Sequence, residues 1–197
     1  MIIVGSPDEK MTQLIDDIFH KVGITSFDTV INHGCGNRSH YNATLRNYGS
    51  KLIGVDIYDR VEVGVFDDYV KVPQEIIDSY FGNIKSNTID CVFMFSIYGL
   101  HHDGNWESYF LITPDDRVAR YFTEQNYPRI IKSGGYVLIV EWEPEPEKRL
   151  GKASYNYVNA NIEQYYPGVN LPGFEIIAKG FSTQLTGPYI LYRKLAK

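Results

Sequence analysis

The chain has 197 residues, a net charge of −5 and a pI near 5.5, which suits one domain with a complete core and argues against a partner held through many phosphate contacts. A hydrophobic fraction of 44%, a charged fraction of 22% and the absence of any single-residue tract exclude fibrous and disordered classes. No stretch approaches the roughly 20 apolar residues of a membrane span, and the start, MIIVGSPDEK, lacks the basic onset of a secretory signal, so a cytoplasmic, non-membrane protein is expected. Its two cysteines, Cys35 and Cys91, fall in separate predicted elements and are expected as free buried thiols.

A covering helix within residues 1–24 is expected to open at Ser6-Pro7-Asp8-Glu9, where Ser caps, Pro fits the first helical position and Glu completes a capping box. Met11, Leu14, Ile15, Ile18, Phe19 and Val22 recur at helical spacing and Gly23 ends the pattern. TVINH then reads as a β-branched strand running into His-Gly-Cys-Gly, Arg38 to Tyr48 as a helix, and KLIGVDIYD as a buried strand ending in acid. Val61 to Phe66 is expected as a third strand and Pro73 to Phe81 as a helix. IDCVFMFSIYG has the near-continuous apolar character of a central parallel strand. A helix is expected from Thr113-Pro114-Asp115-Asp116 to Ile131, stopped by Lys132-Ser133-Gly134-Gly135, followed by a strand in YVLIVEWE. FEIIAKG and YILYRKL, with no helix between them, are expected to form an antiparallel pair at the sheet edge. The alternation predicts a Rossmann-like, doubly wound α/β sheet of seven mostly parallel strands, with helices on both faces and an antiparallel closing hairpin.

In such sheets the ligand lies beyond the carboxyl ends of the strands and meets the first strand-to-helix turn. Gly34 and Gly36 occupy that turn, and Asp56 ends the second strand 20 residues after Gly36. That spacing suits a carboxylate accepting hydrogen bonds from ribose hydroxyls above a turn whose glycines let the backbone approach the ligand. A tight turn needing glycine, with a solvated aspartate at a strand end, is the plainer alternative. A dinucleotide fingerprint would place a third glycine at position 39, which is Ser39. There is no Gly-Lys-Ser/Thr phosphate loop and no Gly-x-Ser-x-Gly elbow. His33, Cys35 and His40, with His101 and His102, supply metal-ligand types without the paired spacing of a zinc site, so no metal is expected.

VINHGCGN, GVDIYD, TIDCVFMFSIYGLHH, RIIKSGGYVLIVE, GFEII and YILYRK together make residues 28 to 195 resemble the class I S-adenosylmethionine-dependent methyltransferases. The resemblance implies one methyltransferase-like domain over 1–197, S-adenosylmethionine as cofactor and S-adenosylhomocysteine as product. It puts Gly34 and Gly36 against the cofactor's amino-acid part, Asp56 on the ribose, Ile57 on the adenine face, Asp67 or Asp68 near the adenine amino group, and Ser96 and Ile97 at the methionine end. Many members carry an acid two places before the first glycine, where this chain has Asn32, which can still hydrogen-bond without supplying charge for the cofactor's ammonium. Arg38 stands at a frequent glycine position, which would crowd the loop or suit a negatively charged substrate.

Methyl transfer is an in-line displacement in which the protein mainly holds donor and acceptor and removes a proton where the acceptor requires it. His101 and His102, just past the fourth strand, are the candidate bases, with packing or loop capping as the equal alternative. Residues 105–127 and 143–172 would form lid or substrate segments, and Tyr98, Trp106, Tyr109, Glu141, Tyr155 and Tyr157 would line the acceptor pocket or serve as packing. The fourth-strand exit reads Ser96-Ile97-Tyr98-Gly99 rather than an Asn/Asp-Pro-Pro-Tyr, and no Pro-Cys nucleophile is present, so nucleic-acid bases are disfavoured and a small-molecule acceptor is expected. A methyltransferase-like binding module without transfer is the second reading. The oligomeric state is left open.

Overall fold

The computed structural model describes residues 7–35, 40–56, 65–71, 77–95, 125–140, 171–182 and 187–196. Helix α1 spans Pro7–Lys21 and closes with two hydrogen bonds, Gly23 N–H to His20 O and Ile24 N–H to Phe19 O, as its terminal glycine signal predicts. Strand β1 is Phe27–His33, helix α2 His40–Tyr48 and strand β2 Gly49–Asp56. After them come β3 (Asp68–Lys71), α3 (Ile77–Asn83), β4 (Ile89–Phe95), α4 (Tyr127–Ile130), β5 (Ile131–Val140), β6 (Phe174–Ser182) and β7 (Gly187–Lys194). Seven strands form one sheet in the order β3-β2-β1-β4-β5-β7-β6. The first five are parallel, and β7 enters antiparallel between β5 and β6, giving the expected closing hairpin.

Alternation along β1 sorts the two layers. Val30 packs with Met11, Ile15, Phe19, Leu45 and Tyr48, so this face lies under α1 and α2. Ile31 packs with Phe81, Tyr127 and Ile130, so the opposite face lies under α3 and α4. The two covering pairs are each tied together. Thr12 and Thr44 hydroxyls meet at 2.7 Å and Tyr48 O–H donates to Asp16 at 2.7 Å, joining α1 to α2. On the other side the Arg129 guanidinium donates to the carbonyls of Phe81, Gly82 and Ile84, so a cation from α4 satisfies the C-terminal end of α3.

Two boundaries differ from the expectations. The third strand is Asp68–Lys71 rather than 61–66. Val65 and Phe66 spend their side chains on the cluster beneath α1 and α2, and the chain joins the sheet only at Asp67. The helix expected to stop at Lys132-Ser133-Gly134-Gly135 ends instead at Ile130, and those four residues lie inside β5. Ile131 pairs with Ile89 and Tyr136 with Cys91, so Lys132–Gly135 bulge out opposite Asp90. Lys132 Nζ holds the bulge through Asp90 at 2.8 Å, while the other Asp90 oxygen accepts the Thr29 N–H at 2.8 Å. The expected helix start at Thr113 lies outside the described residues.

Candidate functional site

The parallel register brings the ends of five strands to one level. Asn32 pairs with Gly54 and His33 with Val55, so Gly34 stands level with Asp56, which itself pairs with Lys71. On the other side His33 pairs with Met94, which brings Phe95 level with Gly34, and Phe95 pairs with Val140. Lys71, Asp56, Gly34, Phe95 and Val140 therefore make one row across the carboxyl edge. Neighbouring strands lie about 4.8 Å apart, so Gly34 and Asp56 are near neighbours although they are distant in sequence.

The turn after β1 begins with Gly34 in the left-handed region, at φ 78°, where a side chain would be strained, and its N–H donates to Val55 O at 2.9 Å. Asp56 is 6% exposed. Two residues before the glycine, Asn32 is fully buried on the face beneath α2, and its Nδ2 donates to Asn42 Oδ1. Among the described residues, Asn32 Oδ1 is buried without a hydrogen-bond partner. A buried acceptor in that condition costs roughly 1 to 3 kcal/mol, so a ligand donor reaching it would recover energy the folded chain has lost.

His33 points to the opposite face. Its Nδ1 meets the Tyr127 hydroxyl at 2.8 Å, and its ring packs on Phe81 with centroids 4.7 Å apart. Burial lowers its pKa to about 3, so it is a neutral core histidine and not a base at neutral pH. Burial likewise pushes the Cys91 thiol far up, with the Asp90 charge adding to it, and Cys35 and Cys91 are both buried and not joined in a disulfide. Among the described residues no group of three or more His, Cys, Asp or Glu side chains is placed to hold a metal ion. No helix among the described residues is long and apolar enough to cross a membrane.

Asp67 and Asp68 are not brought to this edge. Asp68 pairs with Ile53, three residues before Asp56, a displacement of about 10 Å along the strand. The Asp67 carboxylate is engaged where it stands: it accepts the Leu52 N–H at 2.7 Å and pairs with Arg46, and these two contacts hold it below the usual carboxylate range. The residue that β3 does contribute to the row is Lys71. Sequence reasoning passed over Lys71, Asn42 and Tyr127. Asn42 lies within the helix expected from Arg38 to Tyr48, and Tyr127 within the helix expected to reach Ile131, with no local signal marking either. Gly36, Arg38, Ile57, Ser96, Ile97, Tyr98, His101, His102, Trp106, Tyr109, Glu141, Tyr155 and Tyr157 lie outside the described residues. In the chain, Ile57, Ser96 and Glu141 directly follow the last residues of β2, β4 and β5.

No protein-family model and no curated protein matches the sequence. Among solved structures, the chain is similar to the N-methyltransferase NodS from Bradyrhizobium japonicum, at a TM-score of 0.52 and 10% identity over 95% of this chain and 96% of that one. NodS in complex with S-adenosyl-L-homocysteine aligns at a TM-score of 0.50 and 10% identity, over 94% of this chain and 86% of that one. It is also similar to yhhF from Escherichia coli, assigned as a methyltransferase, at a TM-score of 0.54 and 10% identity over 95% of this chain and 86% of that one. Strand order, the reversed β7 and these likenesses agree, and the chain has the class I methyltransferase fold.

Proposed function

We propose that this protein is an S-adenosylmethionine-dependent methyltransferase acting on a small-molecule acceptor. The observation that carries the reading is the adjacency of Gly34 and Asp56 at the carboxyl edge, with the orphaned Asn32 oxygen behind them. These residues fit a cofactor with a ribose, whose hydroxyls Asp56 would accept, and an amino-acid arm, whose ammonium Asn32 Oδ1 would accept. Gly34 and Gly36 would lie beneath that arm, Ile57 against the adenine, and Ser96 and Ile97 beside the methionine end. NodS has been solved with S-adenosyl-L-homocysteine, which supports the same cofactor class here.

When bound, the cofactor would supply a methyl carbon made electrophilic by its sulfonium. The chain's part is to hold donor and acceptor in line and to exclude water, an effect that can supply several kcal/mol without any covalent step. His101 or His102 would take the proton from an acceptor that needs deprotonation. His33, buried and neutral, takes no part in proton transfer. Residues 105–127 and 143–172 would form the lid, with Arg38, Tyr98, Trp106, Tyr109, Glu141, Tyr155 and Tyr157 around the acceptor. The net charge of −5 supports a small molecule over a nucleic acid.

Two measurements test this. A thermal shift on adding S-adenosylhomocysteine is expected to raise Tm, and tritiated methyl transfer to a panel of small amines, hydroxyls and thiols is expected to label one class. No shift and no binding would overturn the reading. Binding without transfer to any acceptor, nucleic acid included, would leave a cofactor-binding module instead.

A further inference from the structure

Asn42 is the third residue of α2, and its side chain reaches back to β1 to accept the Asn32 Nδ2 hydrogen bond. A carboxamide has one donor end and one acceptor end. With Asn42 taking the donor end, the acceptor end of Asn32 is left without a hydrogen-bond partner among the described residues. Both side chains are buried, at 0% and 1% exposure, so water does not set the orientation. Asn32 lies two residues before Gly34, where the turn begins level with Asp56. The turn is thereby held from two sides, by the Gly34 N–H on Val55 of β2 and by Asn42 of α2 through Asn32.

We propose that Asn42 is a positioning residue: by accepting from Asn32 Nδ2 it holds the Asn32 carboxamide with Oδ1 presented to the primary ammonium of the ligand's amino-acid arm. This rests on the cofactor reading above and deepens it. A neutral acceptor of fixed orientation replaces a charge, so recognition depends on α2 being docked against β1. Reversing the amide would offer the ammonium a second donor, and affinity for the arm would be lost while the nucleoside half was unaffected.

Calorimetry on the full chain with two probes separates these contributions: S-adenosylhomocysteine, and methylthioadenosine, which lacks the amino-acid arm. The unmodified chain is expected to prefer S-adenosylhomocysteine. Asn42→Leu is expected to weaken that ligand at least about tenfold, the scale of a hydrogen bond to a charged group, with methylthioadenosine unchanged within about twofold. Retained methylthioadenosine binding also reports that the variant is folded. Asn42→Asp keeps an acceptor and offers no donor, so it is expected to preserve the preference. An unchanged ratio in Asn42→Leu, or a lost preference in Asn42→Asp, would overturn the role of Asn42. Methylthioadenosine binding with no gain from the arm in the unmodified chain would overturn it too, leaving the cofactor reading standing. Neither probe binding the unmodified chain would overturn both.

Discussion

His33 Nδ1 and the Tyr127 hydroxyl oxygen lie 2.8 Å apart inside the core, joining the last residue of β1 to the first residue of α4. The contact places a titratable ring directly before the glycine turn and seals it from solvent beside Phe81. Burial there favours the neutral imidazole in the folded chain.

This gives the stability a pH dependence of definite sign. The folded pKa of His33 is about 3 against an ordinary 6.5, so below about pH 6.5 the unfolded chain takes up a proton that the folded chain refuses. The stability is complete above about pH 6.5 and is lost as pH falls toward about 3. From about pH 7.5 to about pH 5, above the ordinary carboxylate range, the loss is about 2 kcal/mol. Urea denaturation across this window is expected to show that decline, and His33→Gln is expected to flatten it. Tyr127→Phe removes one hydrogen bond, costs about 1 kcal/mol and keeps the slope, because burial is the cause of the shift.

The same pair shows what the sequence could disclose. Apolar runs at strand length, and helices with capping signals, made the α/β alternation and the closing hairpin readable, because each signal is local. The placement of Gly34 and Asp56 was legible for a related reason: both sit at the ends of strands that the pattern locates. The third strand was misread because VEVGVF carries the strand pattern, yet Val65 and Phe66 face the cluster under α1 and α2, and pairing starts at Asp67. The Lys132–Gly135 bulge was read as a helix stop, since two glycines signal either one, and only pairing with Asp90 decides between them. Asn42 and Tyr127 gained their roles through partners 10 and 94 residues away, which no local pattern encodes.

The placement of the two candidate acids predicts opposite outcomes for one substitution. Asp56→Ala removes the acceptor at the carboxyl edge and is expected to lower S-adenosylhomocysteine affinity at least about tenfold, the scale of hydrogen bonding to a carboxylate. Asp67→Ala removes a side chain committed to Leu52 N–H and Arg46, well back along β2, and is expected to leave that affinity within about twofold. Titration calorimetry on both variants makes the comparison, and equal losses would contradict the assignment.

Arg129 is expected to be a stability residue without a share in ligand binding. Its guanidinium satisfies the carbonyls of Phe81, Gly82 and Ile84, and its own carbonyl accepts the Asn87 N–H at 3.0 Å. Arg129→Met removes these three hydrogen bonds and is expected to cost about 2 kcal/mol in chemical denaturation. Arg129→Lys should recover less than half of this, because a compact ammonium cannot span three acceptors as a planar fork does.

The bulge in β5 yields the sharpest steric prediction. A Cβ added at Gly135 would lie 2.7 Å from Asp90 O and 2.7 Å from Ile131 Cγ2, closer than side-chain carbons approach. Asp90 cannot retreat without cost, since its carboxylate already bridges Thr29 N–H and Lys132 across the ends of β1 and β5. Gly135→Ala is therefore expected to destabilise by about 3 kcal/mol, at the upper end for overpacking, through loss of the Asp90 contacts as well as the clash. Ser133→Ala, in the same bulge but exposed, should change stability by less than about 0.5 kcal/mol. Denaturation midpoints of the two variants test whether the close approach at one position, and not the bulge as a whole, is what fixes glycine there.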